Sequence, residues 1–199
     1  MNQKKNSVNF RSKLRAFLLG TAVLVIGQAV GADTGAFTLS SPDFAAGQLL
    51  NTKFTFNGLD CTGQNISPAL SWANPPEGTK SFALMVHDPD AITGGAGIWH
   101  WVIVNIPADS RGVVQGAGTK GGEKLPAGTT QVPTVYGSIG WGGPCPRPGT
   151  THHYNFTIYA LKVARLEFPP NSTASHVGFL VNLASLGKAT LSAAYHREK

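Results

Sequence analysis

The chain has 199 residues, 42% of them hydrophobic and 13% charged, with 24 glycines and 13 prolines, which excludes a disordered protein and a protein of long helices. Its net charge of +6 is unevenly distributed along the chain. Five of the sixteen Lys and Arg residues lie in the first fifteen positions, and the other eleven are nearly balanced by the ten Asp and Glu residues. The body of the chain, whose length suits one domain, therefore has no basic field for a nucleic acid.

The first predicted element is a leader. After its basic start comes an apolar run over residues 16–30, and Val30-Gly31-Ala32 places small residues where a signal peptidase cuts. The run is too short and too interrupted by glycine to span a membrane comfortably. An uncleaved membrane anchor is the alternative. We predict a cleaved signal peptide over residues 1–32, one domain over residues 33–199, and a periplasmic or secreted location with no stable membrane span.

Short strand-like runs separated by turn signals follow the leader. The predicted strands cover residues 37–39, 53–56, 69–72, 81–87, 99–106, 152–163 and 189–195. Residues 108–134 are rich in Gly, Thr and Pro and predict a long irregular segment, whereas helical spacing after Thr173 predicts a helix over 176–188. Many strands and little helix favour a mainly β protein, either an antiparallel sandwich or a barrel.

Two cysteines, Cys61 and Cys145, lie in the part predicted to be exported. An even number of cysteines in an oxidising compartment predicts a disulfide. In the chain-entropy model, a bridge that closes a loop of this length stabilises the fold by about 4 kcal/mol.

Three polar clusters lie at predicted strand ends or in turns: Asp88-Pro89-Asp90, Trp99-His100-Trp101, and the Gly/Pro loop 140–149 with His152-His153-Tyr154 after it. Strand alternation places His100 on one face with Val102 and Val104, and His152 on one face with Tyr154. The glycine-rich loop can bring backbone N–H groups close to an anion. Each cluster alone also fits a structural role, namely an Asp turn, a core histidine or a solvated histidine pair.

In this order and spacing, the three clusters resemble the phosphatidylethanolamine-binding protein family, and they are most similar to its bacterial Raf-kinase-inhibitor-like branch, the YbhB/YbcL group. Supporting segments are residues 65–72, 78–84 and 189–195, so the resemblance covers about residues 37–197. It implies an antiparallel β-sandwich with a few short helices, one of them near the C-terminus. It also implies a small exposed cavity for phosphate, acetate or the phosphatidylethanolamine head group.

The resemblance also implies the residues of that cavity. Matched motif by motif, the ligand-binding positions are Asp88, His100, Pro146, His152 and Tyr154. No catalytic residue, cofactor or metal is implied, and family members modulate kinases or proteases, so an unidentified protein partner of that kind is a further expectation. Ile92 departs from the family pattern, which has proline there, whereas His87 and His153 lie outside the pattern.

Two alternatives come from the residues themselves. Cys145 and His152, with Asp88 to orient the histidine, would form a hydrolase, but this requires a free thiolate that the predicted disulfide removes. A metal site built from His87, His100, His152 and Asp88 lacks the usual zinc spacings. The sequence therefore favours an exported protein that binds an anion or a phospholipid head group and is not an enzyme.

Overall fold

The computed structural model describes Met1 and residues 35–199, so the predicted signal peptide lies outside the described residues. Among these described residues strands dominate, beside one α-helix, α1 (Ala174–Ala184), and one 3-10 turn (Thr52–Phe54). The strands are β1 (Thr38–Ser40), β2 (Asn57–Gly58), β3 (Cys61–Thr62), β4 (Leu70–Ala73), β5 (Ser81–Asp88), β6 (Ile98–Pro107), β7 (Gly112–Val113), β8 (Thr130–Gln131), β9 (Thr150–Leu161) and β10 (Ser185–Arg197). Within the described ranges, no helix has the length and hydropathy to cross a membrane.

Two antiparallel sheets and a hairpin organise these strands. The larger sheet has the order β10-β9-β5-β6-β8, the smaller one has the order β1-β4-β7, and β2 pairs with β3 alone. Side chains from both sheets fill one apolar core, in which the ring centroid of Trp72 on β4 lies 5.4 Å from that of Phe82 on β5. The predicted antiparallel β-sandwich is therefore confirmed.

The opposite face of the larger sheet is covered by α1. Val177 and Val181 of the helix pack with Met85 and Val102 in a second apolar core. The Thr173 hydroxyl accepts a hydrogen bond from the third backbone N–H beyond it, which caps the first turn. The helix ends at Ala184, earlier than predicted, because Ser185 is already extended and pairs with the end of β9.

The strand predicted over residues 53–56 is wrong, because this segment forms the 3-10 turn. The Asn51 side chain accepts a hydrogen bond from the backbone N–H of Lys53, and the Asn51 carbonyl accepts one from Phe54. The turn places the Phe54 ring fully inside the core. One buried ring between polar neighbours gives the same short pattern in a strand and in a turn, so periodicity could not separate them.

A disulfide joins Cys61 of β3 to Cys145 in the loop that precedes β9, as the sequence predicted. Arg197, at the end of β10, reinforces this connection. Its guanidinium donates hydrogen bonds to the Pro146 carbonyl at 3.2 Å and to the Asp60 carbonyl at 2.9 Å. The disulfide and Arg197 together hold the loop beside Cys145 against the β2–β3 hairpin.

Candidate ligand-binding cavity

β5 ends at Asp88, and both oxygens of the Asp88 carboxylate accept hydrogen bonds. Oδ1 accepts hydrogen bonds from the backbone N–H groups of Asp90 at 2.8 Å and Ala91 at 3.1 Å, in the turn that Pro89 introduces. Oδ2 accepts a hydrogen bond from Nδ1 of His152 at 2.7 Å. Because Nδ1 is bound to Asp88, the histidine ring has a fixed orientation and its Nε2 is left for another partner.

The environment keeps Asp88 ionised. Burial alone would raise the pKa of this carboxyl, but the neighbouring His100 ring, the hydrogen bond and charge of His152, and the Asp90 backbone N–H together hold the pKa below its ordinary value of 3.8. The depressed pKa means that the ionised carboxylate stabilises the folded state at neutral pH. This stabilisation is lost as the pH falls through the folded-state pKa, below 3.8.

We therefore expect the cost of replacing Asp88 by asparagine to depend on pH. The free energy of unfolding of the variant should be below that of the wild type at pH 6, and the difference should shrink as the pH falls below about 3.8. Urea denaturation of both proteins between pH 6 and pH 2.5 measures this difference. A difference that stays constant across that range would contradict the role of the ionised carboxylate.

His100 reaches the cavity through a β-bulge. In the pairing of β5 with β6, Val86 lies opposite Trp101 and His87 lies opposite Trp99, so His100 is an extra residue between them. The prediction that His100 shares a face with Val102 and Val104 is therefore wrong. Those two valines pack beneath α1, whereas the His100 ring lies on the sandwich side of the sheet, 5.0 Å from the Tyr154 ring. The bulge turns the histidine to the opposite face.

One nitrogen of His100 is bound and the other is not. Nδ1 donates a hydrogen bond to the Gly142 carbonyl at 2.5 Å. Nε2 is buried, finds no hydrogen-bond partner within residues 35–199, and lies 3.8 Å from Oδ2 of Asp88. Since a buried polar atom without a partner costs about 1–3 kcal/mol, this nitrogen is placed to bind something outside the chain.

Tyr154 on β9 presents a second unbound polar atom. Its ring is completely buried, and its hydroxyl has no hydrogen-bond partner among the described residues. Burial, and after it the negative charge of Asp88, raises the pKa of this phenol. Tyr154 therefore keeps its proton at physiological pH and can donate a hydrogen bond. As strand alternation predicts, His152 and Tyr154 lie on the cavity side, whereas His153 is exposed and contacts Asp90.

The wall opposite β9 is the loop over residues 140–149. The Asn65 side chain holds it, because its amide donates to the Trp141 carbonyl at 2.9 Å and its oxygen accepts from the Gly143 N–H at 2.8 Å. Gly143 passes so close to the 3-10 turn that an added Cβ would lie 2.2 Å from the Phe54 carbonyl oxygen. The loop then places Pro146 beside the cavity.

These elements enclose a cavity of about 300 Å³. All five residues predicted from the sequence line it: Asp88, His100, Pro146, His152 and Tyr154. Ile92, the residue that departs from the family pattern, also lines the cavity and is 74% exposed. His87 lies elsewhere, since its Nε2 contacts the Ala96 carbonyl at 3.0 Å.

Sequence reasoning missed several residues that line this cavity, and Tyr136 and Arg147 are among them. Tyr136 lines it, and its hydroxyl donates a hydrogen bond to the Gly143 carbonyl at 3.2 Å. Arg147 is exposed and brings a positive charge to the lining. Tyr136 follows the irregular segment without a motif of its own, whereas the cationic Arg147 in the glycine-rich loop was a usable signal.

The donor set suits an anion. Two buried polar atoms without partners, on His100 and Tyr154, line the same cavity as the His152 ring and the Arg147 guanidinium. The sulfur of Cys145 is bound in the disulfide, so the Cys-His hydrolase alternative is not supported. Among residues 35–199, no group of three or more His, Cys, Asp or Glu side chains is arranged to hold a metal ion.

Comparison with known proteins agrees with this geometry. The family model described as phosphatidylethanolamine-binding protein matches residues 40–196. YbcL of Escherichia coli is 42% identical over 82% of this chain and 90% of its own length, and YbhB of the same organism is 43% identical over 79% and 98%. LppC of Mycobacterium tuberculosis, whose name describes a candidate lipoprotein, is 39% identical over 77% and 69%.

A solved structure extends the match to the fold. The crystal structure of Escherichia coli YbcL, described as a member of the mammalian PEBP family, superimposes with a TM-score of 0.78 at 41% identity. The match covers 81% of this chain and 99% of YbcL. The sandwich and the matching family model lead to one conclusion. The chain belongs to the phosphatidylethanolamine-binding protein family.

Proposed function

We propose that the protein is a binding protein that holds a phosphate-type anion, free or as part of a phospholipid head group, in the Asp88–Tyr154 cavity. The observation that carries the proposal is the pair of buried, unpartnered polar atoms, Nε2 of His100 and the hydroxyl of Tyr154, on one cavity. An anion with several acceptor oxygens can bind both atoms at once. Its binding would remove the free-energy cost of leaving them unsatisfied.

The two histidines supply the positive charge in this proposal. Each ring uses Nδ1 to donate within the protein, His100 to Gly142 and His152 to Asp88. Each can therefore donate through Nε2 only when it carries both ring protons. The Asp88 carboxylate lies beside both rings, with Oδ2 2.7 Å from Nδ1 of His152 and 3.8 Å from Nε2 of His100.

Binding without catalysis fits the contents of the cavity better than an enzyme does. The sulfur nearest to the histidines is in a disulfide, and the carboxylate is occupied by three hydrogen bonds. The cavity lining supplies donors and charge but no activated nucleophile. We therefore assign the protein a binding role.

The protein acts outside the cytoplasm in this proposal. Three observations support export: the leader pattern over residues 1–32, the Cys61–Cys145 disulfide, and a relative named as a candidate lipoprotein. Residues 1–32 serve as a cleaved signal peptide, and residues 33–199 form the single mature domain.

Replacing Tyr154 by phenylalanine tests the proposal with the smallest change. The hydroxyl has no partner among the described residues, so we expect the variant to keep its melting temperature. Phosphate affinity should fall about ten-fold or more, because a hydrogen bond to a charged group contributes about 1.5–3 kcal/mol. Titration calorimetry with inorganic phosphate measures this, with Tyr159→Phe as the matched control on the same strand. Equal affinity in wild type and Tyr154→Phe would count against the site.

A further inference from the structure

A second and larger depression adjoins the cavity. It has a volume of about 750 Å³ and lies between the β2–β3 hairpin, residues 118–120 and residues 134–142. We call it the hairpin groove. No role for it was predicted from the sequence, and the proposed anion does not occupy it.

Tyr136 is the shared wall of the cavity and the hairpin groove, since its side chain lines both. The ring stacks on Phe56 with centroids 4.8 Å apart. On its other side, Gly142 leaves the room it needs, because a Cβ at that position would lie 2.3 Å from a ring atom. The two spaces therefore share this aromatic side chain as part of their linings.

Several polar side chains of the hairpin groove are not committed elsewhere. The side chains of Asn57, Gln64 and Ser138 make no hydrogen bond to any residue that the structure describes, and Lys120 makes no ion pair there. Thr134 carries the stronger signal: its hydroxyl is buried and has no hydrogen-bond partner within residues 35–199. This orphaned hydroxyl is an observation independent of the groove's shape, and it indicates a missing polar partner.

The lining mixes apolar and polar side chains. Residues with amide and hydroxyl groups stand in the same lining as the apolar residues Phe56, Leu59, Val135, Ile139 and Trp141. An acyl chain would leave those amides and the buried Thr134 hydroxyl unsatisfied. A group that carries several hydroxyls on a compact carbon frame satisfies both kinds of surface.

We propose that the hairpin groove holds the hydroxyl-rich part of a phosphate ester, such as a sugar phosphate, whose phosphate lies in the Asp88–Tyr154 cavity. This inference rests on the proposed function and narrows its ligand to esters with a polyol substituent. The bound ester passes the Tyr136 ring where it extends from the cavity into the groove. The amides of Asn57 and Gln64 and the Thr134 hydroxyl bind the substituent.

Two phosphate esters of the same charge distinguish binding in the cavity from binding in the groove. Methyl phosphate fills the cavity alone, whereas glucose 1-phosphate also reaches the groove. We expect the wild type to bind glucose 1-phosphate at least about ten-fold more tightly in titration calorimetry, the equivalent of one or two added hydrogen bonds. Asn57→Trp and Ser138→Trp fill the groove from two sides. Each should abolish this preference and leave the affinity for methyl phosphate unchanged.

The matched control is Thr62→Trp. Thr62 pairs with Asn57 across the hairpin but does not line the groove, so this variant should keep the preference. Thermal melts identify any variant that fails to fold, and the other tryptophan variant then carries the test. Failure of the wild type to bind methyl phosphate would overturn the proposed function itself. Equal affinities for the two esters, or a preference that survives in a folded groove variant, would overturn the groove assignment alone.

Discussion

Replacing His152 by alanine is expected to weaken the binding of inorganic phosphate by about 10- to 150-fold, the equivalent of losing one charge-assisted hydrogen bond worth about 1.5–3 kcal/mol. Nδ1 of this histidine is held by Asp88 at 2.7 Å, which leaves Nε2 as the donor to the ligand. Its side chain is 13% exposed at the cavity, so its removal opens no closed void in the core. The fold should therefore persist, although the loss of the hydrogen bond to the buried Asp88 carboxylate should cost about 1–3 kcal/mol of stability.

The neighbouring residue provides the control. His153→Ala removes an imidazole of the same kind one position later, but that ring is on the surface and contacts Asp90. Calorimetry of both variants should give reduced phosphate affinity for His152→Ala only. Wild-type affinity in a folded His152→Ala protein would exclude this histidine from the site.

His100→Ala should lose stability as well as binding. His100 is 1% exposed, and its removal leaves the buried Gly142 carbonyl without its donor. This loss should cost about 1–3 kcal/mol of stability in addition to the loss of binding.

Removing the disulfide should have the largest effect on stability. The bridge spans 84 positions, and the double variant Cys61→Ser/Cys145→Ser should lose about 4 kcal/mol of unfolding free energy. For a domain of this size, that corresponds to a fall of roughly 8–16 °C in the melting temperature. Cys145 also lines the cavity, so the loosened wall should weaken phosphate binding as well.

A reducing agent distinguishes the effect of losing the disulfide from any other effect of the serine substitutions. A reducing agent should lower the melting temperature of the wild type towards that of the double variant and leave the variant unchanged. Scanning calorimetry with and without reductant measures both. Wild type and variant melting together under oxidising conditions would refute the stabilising role of the bridge.

Local sequence patterns were sufficient to predict most strands of the sandwich. The strands predicted over residues 81–87, 99–106 and 152–163 correspond to β5, β6 and β9, with ends displaced by one or two residues. Each is a run of β-branched and aromatic residues bounded by turn signals, which is the strongest local signal that a strand has. The irregular segment over residues 108–134 contains only the two short strands β7 and β8.

Errors arose where tertiary pairing decides the backbone. Alternation within β6 could not reveal the bulge at His100, because the extra residue exists only relative to the register of β5. The end of α1 depended on the pairing of Ser185 with β9 and not on helix propensity. In both cases the deciding partner lies far away in the chain.

The candidate cavity was predictable where motifs mark it and not elsewhere. Asp88, His100, Pro146, His152 and Tyr154 stand in short motifs whose order resembles the family, and the structure places all five around one cavity. Their role in ligand binding stays a proposal. Tyr136 stands in a segment with no motif, and the hairpin groove forms where distant segments are brought together by contacts such as the disulfide and the Asn65 hydrogen bonds.

Nitrogen-15 spectra of the six histidine rings during a phosphate titration test the central claim most directly. Binding in the proposed cavity should shift the Nε2 resonances of His100 and His152 along one saturable curve. The four rings outside the cavity serve as internal controls and should move little: His87, His153, His176 and His196. Saturable shifts at those four, with His100 and His152 unchanged, would contradict the account.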